Sequence, residues 1–224
     1  MDNIASCIDH TELSPSAPFG RYTELTREAI ANKFHSVCVN PFFIKLVSNL
    51  LKSHPEIAVC SVISFPFGLE DILSKCEEVD HALVHGATEL DLVANISSLK
   101  SGDFKRYEDE LRSIREESQG HVLKIILEVG LLTDTEIQKA SEIAIKLNYN
   151  FLKTSTGVNI KLSFEETLKY SKMLVDLAEG SSTLVKASGG IKTLDQCRQL
   201  IDVGVKRIGT SSGVKIMEEF NGRS

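Results

Sequence analysis

This sequence has no CxxC pair, no surplus of positive charge and no long apolar run, and each absence removes a class of function. The five cysteines, Cys7, Cys38, Cys60, Cys76 and Cys197, are odd in number and widely scattered. Zinc ribbons and dithiol redox motifs therefore have no support, and reduced thiols in the cytoplasm are the simplest reading. A formal net charge of -6 lacks the basic footprint of a nucleic-acid binder. The same charge weakly repels a phosphorylated ligand, so local donors would have to hold one. No stretch approaches the ~20 apolar residues that span a bilayer. The opening MDNIASCIDHTELSP lacks the basic n-region and apolar h-region of a secretory leader. No linker or low-complexity tract divides the chain, so residues 1–224 are expected to form one domain.

What is present is an alternation of short apolar runs and longer amphipathic segments. Strand-like runs cover Ala5–Asp9, Ser36–Val39, Ala58–Ile63, Glu89–Val93, Val122–Val129, Asn150–Lys153, Thr183–Ala187 and Arg207–Gly209. Between them apolar residues recur at helical spacing, as in Phe104, Tyr107, Leu111 and Ile114, or Ile137, Ala140, Ala144 and Leu147. Thr133 with Glu136, Ser163 with Glu166, and Thr193 with Gln196 have the spacing of a capping box. Asn40-Pro41 predicts an N-cap and a first-turn proline, and Gly86 and Gly180 predict helix stops. Strands alternating with helices predict a parallel sheet. Eight such units in a chain of this length predict a closed (β/α)8 TIM barrel.

Strand alternation then orients the charged residues. Outward-facing Leu90 and Leu92 leave Asp91 pointing into the barrel, and the same parity turns Lys153, Lys186 and Asp9 inward. All four lie near strand C-termini, where this fold keeps its chemistry. Two structural Lys–Asp ion pairs are the plainer reading. The functional reading is that one lysine serves as a nucleophilic amine. At a pKa of about 10.4 only ~0.04% of such an amine is free at pH 7. A shift of about three units, costing roughly 4 kcal/mol, is within reach of partial desolvation and a second ammonium. Glycine-rich turns follow the last two strands: Ser188-Gly189-Gly190, and Gly209 to Gly213 with Ser211 and Ser212. Loops there, with a helix N-terminus, commonly bind phosphate in this fold.

These segments resemble the deoxyribose-phosphate aldolases. The resemblance is carried by IDHTELSP (Ile8–Pro15), VCVNP (Val37–Pro41), ELDLVANI (Glu89–Ile96), FLKTSTG (Phe151–Gly157), VKASGGIKT (Val185–Thr193) and RIGTSSG (Arg207–Gly213). It runs in the family's order from about Cys7 to Val214, nearly the whole chain. It implies a class I aldolase, independent of metals and cofactors, that reversibly cleaves 2-deoxy-D-ribose 5-phosphate in deoxynucleoside catabolism. Lys153 would form the imine, and Asp91 with Lys186 and a water would relay protons. Asp9 would fix Lys186, and Gly157, Gly189, Gly190, Ser211 and Ser212 would hold the phosphate. The partner implied is a small sugar phosphate, with no nucleic acid and no membrane. Family members form dimers and tetramers, so a homo-oligomer is an expectation here too. Other readings of the same residues are a different lysine-dependent barrel aldolase or a non-catalytic sugar-phosphate binding protein.

Two positions depart from the pattern. Val158 stands where some members carry a lysine that touches the phosphate, and the chain ends FNGRS where longer members end in a tyrosine. Other features carry plainer expectations. His81 and His85 have helical spacing but no third metal ligand in view. Lys124 and Glu128 share strand parity and predict a buried ion pair. Cys38 reads as a small core residue, and the charge run Glu108–Glu117 as a solvated helix face.

Overall fold

The computed structural model describes residues 4–222. Eight parallel strands close on themselves in sequence order, each paired with its neighbour and β8 with β1. They are β1 (Ile8–Glu12), β2 (Ser36–Val39), β3 (Ala58–Ile63), β4 (Glu89–Val93), β5 (Val122–Ile126), β6 (Phe151–Lys153), β7 (Leu184–Ser188) and β8 (Arg207–Thr210). The helices around them are α1 (Phe19–Asn32), α2 (Ile44–Leu50), α3 (Ile72–Val84), α4 (Ile96–Lys100), α5 (Phe104–Glu117), α6 (Asp134–Lys146), α7 (Phe164–Ala178), α8 (Leu194–Asp202) and α9 (Gly213–Phe220). This is the expected (β/α)8 barrel. None of the described helices is long and apolar enough to cross a membrane.

The main apolar core lies between the strands and the helices. Ile8, Leu90, Leu92, Leu152, Val185 and Ala187 enter it from the sheet, and Tyr107, Leu111, Ile114, Ile137 and Ala140 from the helices. A smaller cluster of Cys38, Cys60 and Val62 is separate from it. All three expected capping boxes form: Thr133, Ser163 and Thr193 each accept from the backbone N–H three residues on, and Glu136, Glu166 and Gln196 reach back. Such a cap contributes about 1 kcal/mol. Gly86 and Gly180 have positive φ just beyond α3 and α7, as expected of helix stops.

Several boundaries differ from the sequence reading. β1 begins three residues later than Ala5, because Ala5–Cys7 form a 3-10 turn. The polar Thr11 and Glu12 instead extend the strand by pairing with Cys38 and Val39. β5 stops at Ile126, and Glu128 beyond it adopts left-handed backbone with φ 53°. Asn40 makes no side-chain cap; Pro41–Phe43 form a 3-10 turn before α2, and the Asn40 amide faces Leu13 O at 3.4 Å.

Candidate active site

Register alone brings the inward charges into contact. Asp91 is the direct partner of Lys124, Lys153 of Lys186, and Lys186 of Arg207, while Asp9 stands beside Gly209. Side chains on register partners share a face, so the barrel interior acquires a belt of charge. The Nζ of Lys153 lies 2.6 Å from Asp91 Oδ2, and Lys186 Nζ lies 2.8 Å from that same oxygen. Lys124 bridges Asp91 Oδ1 at 2.9 Å and Glu89 at 2.7 Å. Arg207 joins Glu89 at 2.7 Å to Asp9, and Asp9 also pairs with Lys186. Three carboxylates thus face four cations in one continuous network.

The electrostatics follow from this closure. Burial alone would raise the Asp91 carboxyl, but the ammoniums of Lys124, Lys153 and Lys186 outweigh it and hold it well below the usual range. Burial alone would lower the Lys186 ammonium, yet Asp9 and Asp91 outweigh that and push it upward. Both groups therefore stay charged at neutral pH. Apolar replacements for a buried ion network are often at least as stable, so stability alone does not explain these seven side chains. Chemistry is the better reason for them.

Above this belt opens a cavity of about 570 Å³. Lys153 is the one member of the network that lines it, and Asp91, Asp9 and Lys186 lie wholly buried beneath. Gly157, Gly189, Gly190, Ser211 and Ser212 all line its wall, as does the exposed Val158. Gly157 and Gly189 approach so closely that a Cβ on the former would sit 3.3 Å from the Cα of the latter. Both also have positive φ, which favours glycine. Gly209 is small for a different reason: a Cβ there would lie 3.2 Å from Lys186 Cε. The predicted nucleophile and the predicted phosphate loops thus share one cavity.

The loop after β6 is held from two sides. Thr154 Oγ1 donates to Ser188 O at 3.1 Å and accepts from Ser188 N at 3.0 Å, and Ser188 Oγ donates to Ser155 O at 2.6 Å. On the other side stands Glu128, whose left-handed backbone costs about 1–2 kcal/mol in a residue with a Cβ. Its buried carboxylate accepts from Thr156 N at 3.2 Å, from the Thr156 hydroxyl, and from Asn159 Nδ2 at 3.1 Å. The expected Lys124–Glu128 ion pair does not form. The chain turns left-handed after β5, which carries Glu128 to the β6 loop and leaves Lys124 to Glu89 and Asp91.

Cys38, Cys60 and Asp91 bring candidate metal-ligand atoms within 4.8 Å of one another. Both Asp91 oxygens are already engaged, however: Oδ2 with Lys153 and Lys186, and Oδ1 with Lys124 and the Cys60 thiol at 3.2 Å. His81 in the last turn of α3 and His85 just beyond its end pack ring against ring, and the described residues add no third ligand to them.

Comparison with known proteins decides the family. The family model described as "DeoC/LacD family aldolase" matches residues 4–219. This chain belongs to that family. The deoxyribose-phosphate aldolase of Malacoplasma penetrans (strain HF-2) is 40% identical to this aldolase over 218 residues, 97% of this chain and 96% of the relative. A solved aldolase, QR15, superposes with a TM-score of 0.91 at 37% identity, covering 100% of this chain and 98% of the other. The deoxyribose phosphate aldolase of Aeropyrum pernix, described as a unique tetramer, gives 0.87 at 32% identity, covering 99% and 92%.

Within this aldolase, sequence reasoning missed three residues of the site and gave a fourth the wrong partner. Arg207 and Glu89 share the inward parity of Lys186 and Asp91, and counting back two positions from Gly209 and from Asp91 would have found them. Lys124, expected to pair with Glu128, stands instead level with Asp91 across the β4–β5 register and joins the network there. Lys192, two residues past Gly190, lines the cavity as a second lysine. The expectation about the C-terminal residues falls partly on Arg223 and Ser224, which lie outside the described residues.

Proposed function

We propose that this chain reversibly cleaves 2-deoxy-D-ribose 5-phosphate to D-glyceraldehyde 3-phosphate and acetaldehyde through a Schiff base on Lys153. The observation that carries this reading is the position of Lys153, at the floor of the cavity and on a carboxylate it shares with Lys186. The Lys153 amine adds to the C1 aldehyde of the open-chain sugar, and loss of water leaves an imine. Once protonated, the imine is a cation where the ammonium stood, so the Asp91 carboxylate still faces a positive charge. That cation draws in the electron pair of the C2–C3 bond as the 3-hydroxyl gives up its proton. D-Glyceraldehyde 3-phosphate leaves, and the remaining enamine takes a proton at C2. Hydrolysis then frees acetaldehyde and restores the amine. Asp91 acts in the proton transfers through a bound water. Lys186 keeps Asp91 compensated when Lys153 surrenders its charge, and Asp9 holds Lys186 in place.

At the other end of the substrate, Gly157, Gly189, Gly190, Ser211 and Ser212 offer backbone and hydroxyl donors to the phosphate, supported by their shared cavity. The similarity to named deoxyribose-phosphate aldolases supports the same substrate. We place the enzyme in the cytoplasm, in deoxynucleoside catabolism, as a single catalytic domain and a homo-oligomer; the free thiols of Cys38 and Cys60 suit a reducing compartment.

The test is to incubate the protein with deoxyribose 5-phosphate, reduce with borohydride and map the adduct by peptide mass spectrometry. The expected result is a single adduct on Lys153, absent from Lys153→Ala, with acetaldehyde released only by the wild type. An adduct on another lysine would move the site. No adduct with folded protein and excess substrate would leave a sugar-phosphate binder without this chemistry.

A further inference from the structure

Glu128 is a buried carboxylate that the aldol chemistry does not use. It lies outside the lysine network; its oxygens accept from neutral donors, all of them on the loop after β6. The Thr156 hydroxyl accepts from Val158 N at 3.1 Å and from Asn159 N at 3.2 Å. Its one proton therefore points to Glu128, which is the acceptor that fixes the rotor. Asn159 Nδ2 donates both to Glu128 Oε2 at 3.1 Å and to Pro66 O, beyond β3, at 2.6 Å. The backbone on either side of Glu128 is tied to the Schiff-base strand as well: Leu127 N donates to Lys153 O at 2.9 Å and Val129 N to Thr154 O at 3.0 Å. Left-handed backbone at a residue other than glycine persists where surrounding contacts over-determine it. Here those contacts converge on the turn that carries Gly157 and Val158 into the cavity.

We propose that Glu128, with Asn159, is a positioning residue that presets the Thr156–Asn159 turn to receive the substrate's phosphate. The proposal rests on the phosphate assignment made above and deepens it. A carboxylate suits the task because all the neighbouring groups are donors. Glutamine would keep one acceptor oxygen but turn an NH2 group toward other donors, and alanine would leave them unpaired. Recognition of the phosphate then depends on a residue that never touches it, whereas Lys153 chemistry does not.

The experiment compares deoxyribose 5-phosphate with unphosphorylated 2-deoxyribose as substrates for the full-length wild type, Glu128→Ala, Glu128→Gln and Asn159→Ala. Inorganic phosphate serves as a competitive probe. In Glu128→Ala the KM for the phosphorylated sugar is expected to rise about tenfold, equivalent to roughly 1.4 kcal/mol, with kcat within about threefold. The preference for the phosphorylated sugar in kcat/KM should fall by a similar factor. Inhibition by inorganic phosphate should weaken in parallel, and Glu128→Gln should recover part of each effect. Folded Glu128→Ala and Asn159→Ala proteins that keep the wild-type preference would overturn the proposal. If Glu128→Ala does not fold, Asn159→Ala, altered in a half-buried loop residue, decides by the same ratio. A wild type indifferent to the phosphate would instead overturn the phosphate assignment itself, and with it the role given to Glu128.

Discussion

Lys186 touches two carboxylates, Asp9 and Asp91, and does not reach the cavity. Its worth therefore lies in what it neutralises. Replacing it with methionine keeps the apolar stem but leaves two buried carboxylates short of a partner. Breaking a buried pair in this way costs about 3–5 kcal/mol. Lys186→Met should lose that much stability in urea denaturation, read as a lower midpoint at unchanged slope. Lys186→Arg would test geometry separately from charge. Gly209 limits the room, since Lys186 Cε already lies 3.2 Å from where a Cβ on that glycine would be.

At the scale of elements, the strands and helices owe their positions to separate signals. The capping boxes of α6, α7 and α8 are local chemistry, and all three were legible from spacing alone. Ser163→Ala should cost about 1 kcal/mol, seen as a small fall in Tm with kcat unchanged, because the start of α7 carries none of the residues assigned to catalysis. Strand parity is also local, and it turned Asp9, Asp91, Lys153 and Lys186 inward correctly. Register is not local. Which inward residues stand level with one another depends on the stagger of a closed sheet, and no run of residues within one strand records that. Lys124 shows the difference: parity within β5 predicts a buried ion pair for it, but only pairing with β4 shows that Asp91 is a partner. Glu128 was misread because alternation was carried past the point where the backbone turns left-handed. A non-glycine residue in that conformation has no sequence signature of its own.

Across the whole molecule, the charged belt links β1 with β4 to β8 through one set of ion pairs. Asp9 and Asp91 are held below the usual carboxylate range despite burial, chiefly by the lysines and, for Asp9, by Arg207 as well. Lowered folded-state values contribute stability that is complete above the unfolded pKa and is lost as pH falls through the folded one. The Lys186 shift has the opposite sign: its contribution is complete below about pH 10.4 and fades only in stronger base. Stability should therefore be nearly level, as far as this belt governs it, from about pH 5 to 9 and fall steeply below about pH 4. Urea midpoints measured across that range would check it, and a midpoint that rose on acidification to pH 3 would contradict it. The belt is woven from strands and the cavity wall is largely made of loops, with Lys153 common to both. A lineage can therefore retailor which aldehydes and sugars it admits by editing loops, while the carbon–carbon chemistry below is inherited intact. Substitutions that diversify substrates should accumulate around the rim, and a catalyst maker seeking new aldol products should leave the belt alone.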